Sequence, residues 1–513
     1  MTSTLFRNVS ALRLPGAARS GWVLVEDATI AAHGDRGDEP SSDRTVDGGG
    51  GVLMPAFCDA HVHLPATGLY EIGLDFRGET SADAIAAAFE ERGRAGTGVL
   101  FGGNFEDPLD KPLSRHDLDR AVGNRSALLA RADMHSCIVS TALLDQLDVE
   151  GLEGVDRDDA GSPTGYLREK AASEAWSYLD ANLTPQQQRD AVLAAVQRAY
   201  SKGVGCVHEM FVVEWRGWDS WAVFAHSVAD VALEVVAYLG TDEVERVAEL
   251  GLGQIGGDFF LDGSFGSHTA WMTQPYASPP PEGSPPNGIA YRSDEELLGF
   301  FTRAQDEGLQ VGVHAIGDAA IAQAIGTWEK VAADVGIDAV RALGHRIEHF
   351  ECASDDHIER AAALGLKASV QPAFDRYWGG ADGLYSERIG WERAAEMNRF
   401  TTMVQAGIWV GAGSDSTVTP LDPFLQVAAL RSHHVESERM GRTLALRLHT
   451  MGARRLGPCP EMSGCLEPGA PAELVLLDRD PVEASVEELL ATEVLGTWID
   501  GTRVWPPEEA ESS

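Results

Sequence analysis

Two histidines, His61 and His63, close the run Pro55-Ala56-Phe57-Cys58-Asp59-Ala60-His61-Val62-His63. Side chains alternate along a strand, so both imidazoles emerge on one face, close enough to share a metal ion. The pair alone is weak evidence, because two neighbouring histidines are more often unrelated. Three later runs change that balance. Val311-Gly312-Val313-His314 ends an apolar stretch on a histidine and then turns through Gly317 into a helical pattern. Arg346-Ile347-Glu348-His349 ends on another, and Val410-Gly411-Ala412-Gly413-Ser414-Asp415 ends on a carboxylate. Singly, each reads better as a core histidine or a helix-capping aspartate. In this order they suit one centre, with imidazole and carboxylate ligands around a divalent metal, zinc by preference, and a position left open for water. Such a metal brings the pKa of water towards neutrality, and Asp415 is a candidate to take the proton.

The elements that must position these residues are legible in outline. Apolar runs at Val204–His208, Leu233–Leu239, Phe259–Leu261, Leu309–His314, Arg346–His349, Leu366–Gln371 and Ile408–Gly413 read as strands. Helical patterns such as Ala191–Ser201, Glu295–Glu307 and Ala319–Val335 lie between several of them. Repeated strand–helix units predict a parallel sheet, and this many favour an α/β TIM (β/α)8 barrel, in which the C-terminal ends of different strands meet at one site. The barrel is expected over 58–450, with an insertion at about 73–180, which does not follow the alternation. Residues 1–57 and 451–513 read as β-structure, with strands at Thr4–Val9, Gly21–Glu26, Ala28–Ala32 and Glu473–Leu477 and a hairpin signal at Asp500-Gly501. Both ends are expected to meet in a small β-sandwich domain.

Composition narrows the partners. The 513 residues include 79 acidic against 40 basic side chains, a formal net charge of -39. That surface repels phosphate backbones and anionic lipid, which disfavours nucleic-acid and membrane binding and leaves a small molecule as the expected partner. The six cysteines are scattered without finger-like spacing, as expected of reduced thiols. With no basic stretch leading an apolar run near the start and no span-length apolar segment, a cytoplasmic location is expected.

Taken together, these motifs resemble the amidohydrolase superfamily, in particular its N-substituted formamide deformylase and YtcJ-like branch. The resemblance rests on Gly50–Leu64, Asp133-Met134-His135, Gly203–Met210, Leu261–Tyr276 around Asp262-Gly263-Ser264, His314–Asp318, His345–His349, Ser369–Pro372, Gly413–Asp415 and Gly464–Asp480. It implies that His61 and His63 lie on the first barrel strand, with His314, His349 and Asp415 on strands five, six and eight. It also implies strand two at Gly203–Met210, and a His135 that donates a hydrogen bond to the substrate carbonyl as charge develops there. Similar proteins often carry a metal-bridging carbamylated lysine four residues before the Asp-Gly-Ser; here that position is Asp258. Either Asp258, or another carboxylate such as Glu209, ligates a second ion, or the site holds one metal. The short reach of aspartate favours one. His268 is a candidate substrate contact, Asp262 a turn-shaping residue, and Glu348 is expected to face away from the ligand that follows it. Trp271, Tyr276, Phe374, Tyr377 and Trp378 are candidates to line an apolar pocket.

The expected activity is hydrolysis of a non-peptide C–N bond in a small molecule: an amide, formamide, carbamate or ureide. The alternatives are a metal-dependent deaminase or another reaction of the superfamily, and a catalytically inactive metal-binding protein. Similar proteins are often dimers, so a homodimer is an outcome the resemblance admits.

Overall fold

The computed structural model describes residues 2–507 except 15, 17, 94–97, 107, 132–135, 150, 153, 281–283 and 461. The chain divides into two compact units, one of Met1–His63, Gln197–Val212 and Ala232–Ser513, the other of Leu64–Val196 and Val213–Val231.

Eight parallel strands organise the first unit. Strands β1 (Phe57–Val62), β2 (Val204–Phe211) and β3 (Glu234–Leu239) form a three-stranded sheet with β2 central. Strands β4 (Gln254–Phe260), β5 (Gln310–Ala315), β6 (Arg346–His349), β7 (Lys367–Val370) and β8 (Trp409–Ala412) pair in sequence order in a second sheet. A parallel bridge between Val62 and Ser416 links β1 to the segment just after β8. There the Asp415 N–H donates to His61 O (2.8 Å) and the His63 N–H to Ser416 O (3.0 Å). Every residue of β1, β2, β5 and β6 is buried, including the polar Asp59, His61, His208, Glu209, His314, Arg346, Glu348 and His349.

Helices follow the strands with clear local signals. Asp294–Asp306 begins at a Ser293–Glu296 capping box, and Asp355–Leu364 begins at a Ser354 cap and stops at left-handed Gly365. Asp318–Val335 packs seven buried residues, among them Ile321, Ile325 and Trp328, at helical spacing. No helix among the described residues is long and apolar enough to cross a membrane.

Both chain ends enter one eight-stranded sheet. Its path runs Thr502–Trp505, Val494–Ile499, Leu474–Leu477, Val52–Pro55, Ser3–Leu12, Ala18–Glu26 and Thr29–Asp35, with Arg44–Asp47 beside Ser3–Leu12. The pairing is continuous because Val52–Pro55 bonds Ser3–Leu12 on one edge and Leu474–Leu477 on the other. The strands thus make a single sheet rather than two separately paired ones. It curls enough for Phe6 and Trp498, on strands two apart from adjacency, to meet edge to face at 5.0 Å. The Asp500-Gly501 turn has two left-handed residues (φ 49 and 71), the twist that matches a tight hairpin.

The second unit is built on a six-stranded sheet that includes Leu100–Phe105, Ala127–Arg131 and Ser136–Val139. Alternate residues fill different cores. Leu128, Ala130, Cys137 and Val139 pack with Ala171, Ala175 and Leu179 of helix Glu169–Asn182, while Ala127, Leu129 and Ile138 pack with Ile85 and Phe89 of helix Ala82–Gly93. The segment 73–180 lies within this unit.

Candidate metal centre

Strand ends deliver the polar residues to one buried place. His61 is the fifth residue of β1, and His63 follows the strand; their rings sit 5.5 Å apart, edge to face, on the same side. Asp258 comes from β4, His314 from β5, His349 from the end of β6, and Asp415 from just beyond β8. His349 and Asp415 have positive φ (68 and 51), in the left-handed region that few non-glycine residues adopt.

Second hydrogen bonds fix the tautomer of the histidines. The His61 Nδ1–H donates to Glu348 Oε2 (2.9 Å), His63 Nδ1–H to Met210 O (2.9 Å), and His349 Nδ1–H to Gln371 Oε1 (2.8 Å). In the neutral imidazole each Nε2 then presents a lone pair. His314 is reversed: its Nε2 lies 3.4 Å from Gly263 O, and its Nδ1 is turned to Asp258.

Those lone pairs face carboxylate oxygens. Asp258 Oδ2 is 3.0 Å from His63 Nε2 and 3.5 Å from His61 Nε2, while Asp415 Oδ1 is 3.2 and 3.6 Å from the same two atoms. Asp258 Oδ1 is 3.6 Å from His314 Nδ1 and 3.7 Å from His349 Nε2. Most of these distances are too long for good hydrogen bonds. His61 Nε2, His314 Nδ1, His349 Nε2, Asp258 Oδ1 and Asp415 Oδ1 are buried with no hydrogen-bond partner. Buried polar atoms left this way are costly unless something between them accepts their lone pairs. A divalent cation with ligand bonds of about 2.0–2.2 Å sets neighbouring ligand atoms roughly 3.3–3.6 Å apart, so the donor set fits one.

The electrostatics agree. Burial alone would depress the His61 pKa, but the charges of Asp258 and Asp415 outweigh it and raise it to about 10; His63 is raised well above its ordinary value against the same burial penalty. Burial likewise opposes ionisation of Asp258 and Asp415, yet the surrounding histidines hold both carboxyls below their usual range. The pocket stabilises positive charge among its imidazoles.

Of the residues singled out from sequence, His61, His63, His314, His349, Asp258 and Asp415 are brought together. Glu209 is not part of the ligand groupings found among the described residues. His135 lies outside the described residues. His268 pairs with Ser278 Oγ through Nε2 (3.0 Å) and packs against Tyr276. Asp262 shapes a turn as expected, accepting from the backbone N–H groups of Trp271 (2.8 Å), Ile316 (3.0 Å) and Gly317 (2.7 Å). Phe374 stacks against His349 at 6.0 Å and contacts Trp378, while Tyr276 and Phe374 share a buried apolar cluster. Tyr377 is 48% exposed.

Glu348 was expected to face away from the site, and does the opposite. The backbone leaves the β-region at His349, so strand alternation stops there and both side chains reach inward. Glu348 serves His61, on a strand remote in sequence, and is itself gripped by Arg346 through Nε (2.5 Å) and Nη2 (2.7 Å). Arg346 also donates to Ala60 O (2.7 Å) and to His208 Nδ1 (2.8 Å). Because His208 Nδ1 accepts, its Nε2 carries the hydrogen. The nearby Cys58, Cys206 and His208 grouping is therefore unsuited to a cation despite its ligand types.

A buried group of histidines and aspartates at the ends of parallel strands makes a candidate metal centre. The chain belongs to the amidohydrolase family, whose Amidohydro_3 model matches residues 44–505. It is 28% identical to the Bacillus subtilis (strain 168) protein YtcJ, over 95% of this chain and 96% of that one. It is 26% identical to the N-substituted formamide deformylase of Arthrobacter pascens, over 93% and 94%. An uncharacterized metal-dependent hydrolase from Pyrococcus furiosus superposes with a TM-score of 0.76 at 27% identity, covering 94% of this chain and all of that one.

Proposed function

We propose that this protein uses bound divalent metal, zinc by preference, to hydrolyse a non-peptide C–N bond in a small molecule: an amide, formamide, carbamate or ureide. The observation that carries this reading is the gathering of imidazole nitrogens and carboxylate oxygens in overlapping ligand groupings, with five of these atoms buried and without a hydrogen-bond partner. His61, His63, His314, His349, Asp258 and Asp415 are the proposed ligands. When bound, the metal supplies Lewis acidity towards the scissile carbonyl and makes water a better nucleophile at neutral pH. Asp415, kept ionised by its histidine neighbours, takes a proton from the attacking water and returns it to the leaving nitrogen. Glu348 and Gln371 orient His61 and His349.

This reading takes the two parallel sheets as arcs of one (β/α)8 barrel, with 58–450 as the barrel region and 1–57 and 451–513 as the accessory β-domain. The link between β1 and the end of β8 supports closure. The name of the Arthrobacter relative places N-formyl amines first among substrates to try. The Phe374 ring beside His349 favours those with apolar N-substituents.

The test pairs a screen of N-formyl, N-acyl and N-carbamoyl compounds with the substitution Asp415→Asn. Turnover should fall at least about 100-fold, while metal content, read by elemental analysis, is partly kept. Near-normal turnover in that variant would remove Asp415 from its role. Ammonia release from an aminated ring, with no amide cleavage, would make the enzyme a deaminase instead.

A further inference from the structure

The parallel strands carry a second polar place at their other end. Lys367 and Trp409 are the first residues of β7 and β8 and pair in register, whereas Asp415 lies just beyond the last residue of β8. Beside them opens a cavity of about 420 Å³, whose walls include Leu366, Lys367, Gly407, Trp409, Arg455 and Cys459. A space of that size suits a small organic molecule. No carboxylate is among the described residues that line it.

Lys367 differs from Lys111, Lys202 and Lys330. Lys111 lies 2.6 Å from Asp83, Lys330 lies 3.6 Å from Asp294, and Lys202 pairs with Asp422. The Lys367 Nζ donates instead to two backbone oxygens, Arg455 O (2.7 Å) and Leu456 O (3.2 Å). One of its three ammonium hydrogens is left without an acceptor among the described residues. Bare Gly344 makes room for the stem, since a Cβ there would come within 2.7 Å of Lys367 Cε.

The surroundings disfavour charge on this amine. Burial and the Arg346 guanidinium lower its pKa from 10.5 to about 8, against a small opposing influence of the Cys459 thiol. Arg455 adds a further cation to the cavity wall. Burial also lowers His345 and His208, so neither contributes charge near neutral pH. An amine that is desolvated and set beside a fixed cation is a nucleophile close to neutral pH.

We propose that this cavity is a second ligand site, in which Lys367 captures small aldehydes as a reversible imine. The ammonium first releases a proton, and the Nζ lone pair then attacks the carbonyl carbon. The C–O bond of the carbinolamine breaks and water leaves. In sum, RNH3+ and R′CHO give RNH+=CHR′ and H2O: two ammonium hydrogens depart with the carbonyl oxygen, and the positive charge stays on nitrogen. The hydrogen that remains serves Arg455 O. Capture gives up only the contact to Leu456 O, which Gln310 Nε2 also serves at 2.8 Å. Leu366 and Trp409 supply apolar wall for the body of the aldehyde. The site stands apart from the metal centre and does not depend on the metal-dependent reading.

The experiment treats the full-length chain with benzaldehyde and sodium cyanoborohydride, which fixes any imine as a benzylated amine. Labelled lysines are then mapped by peptide mass spectrometry. Near pH 7, Lys367 should be labelled at least about 10-fold faster than Lys111, Lys202 or Lys330, because far more of its amine is neutral. Its rate should saturate with benzaldehyde concentration, as binding before reaction requires, while the other three rise linearly. In Lys367→Arg, which keeps the charge and the donors to the two backbone oxygens, saturable labelling should vanish. Equal rates at the four lysines would overturn the proposal, as would a rate at Lys367 that rises linearly with benzaldehyde. Saturable labelling that persists in Lys367→Arg would overturn it too. If the variant does not fold, the wild-type rates decide the matter alone.

Discussion

Glu348 links the ligand ring to the interior of the fold. Its carboxyl is fully buried, and burial alone would raise its pKa; Arg346 and His61 outweigh that and lower it to about 2. An ionised Glu348 keeps the hydrogen of His61 on Nδ1 and so keeps Nε2 free to ligate. Replacing it with glutamine preserves shape but removes charge from a pair whose other member, Arg346, is also wholly buried. Glu348→Gln should therefore weaken metal binding by about 10- to 100-fold, read by competition with a chromogenic chelator. It should also destabilise the fold by roughly 3 kcal/mol or more, because an arginine is left uncompensated in the interior. Unchanged metal affinity would show that His61 is oriented without Glu348. The residue types along Arg346-Ile347-Glu348-His349 were visible in sequence. The partner of Glu348 was not, because it lies 287 residues away.

At the scale of elements, strand β4 shows where sequence patterns stop being informative. Helices such as Asp318–Val335 and strands such as Leu474–Leu477 fall within a residue or two of expectation, because apolar periodicity and caps are local signals. Strand β4 was expected only at Phe259–Leu261, since a Gly-Gly pair reads as a break. Its neighbours hold it in the sheet regardless. Gly257→Ala should lower the unfolding free energy by more than about 2 kcal/mol in urea titrations, combining left-handed backbone strain with the contact to Met210 and Tyr238. A smaller loss would mean that the strand has room to relax. His345, just before β6, offers a test by pH. Its ring stacks on Trp328 at 3.6 Å, Nδ1 accepts from the Val311 N–H (3.0 Å), and Nε2–H donates to Gln305 Oε1 (3.0 Å). Burial, aided by the charge of Lys367, lowers its pKa from 6.5 to about 3. The unfolded chain then binds the proton first as pH falls. The stability contributed by neutral His345 is fully present above about 6.5, declines towards about 3, and is constant below. Denaturant titrations at stepped pH should show a shallower acid decline for His345→Gln than for wild type, and equal slopes would contradict the assignment.

Across the whole molecule, a formal charge of -39 dominates the surface. Raising salt from about 0.01 M to about 1 M shortens the screening length from roughly 30 Å to roughly 3 Å, so self-repulsion fades and the melting temperature should rise. A melting temperature that falls steadily with added sodium chloride would mean that attractive surface pairs such as Arg360–Glu329 outweigh the repulsion. Charge sets partners and solubility, and composition alone revealed it. Residue type and local spacing likewise pointed to the class of chemistry: His61 and His63 share a face because strands alternate, His314 and Asp415 each end an apolar run, and His349 ends the short strand Arg346–His349. Tertiary structure alone decided what those residues meet. It split the oxygens of Asp258 between two pairs of histidines, turned Glu348 inward to His61, and joined both chain ends in one curled sheet. The physical reason is distance along the chain. Periodicity and capping act over a few residues, whereas a coordination site is assembled from strands whose order is fixed by long-range pairing and by which side chains fit between them.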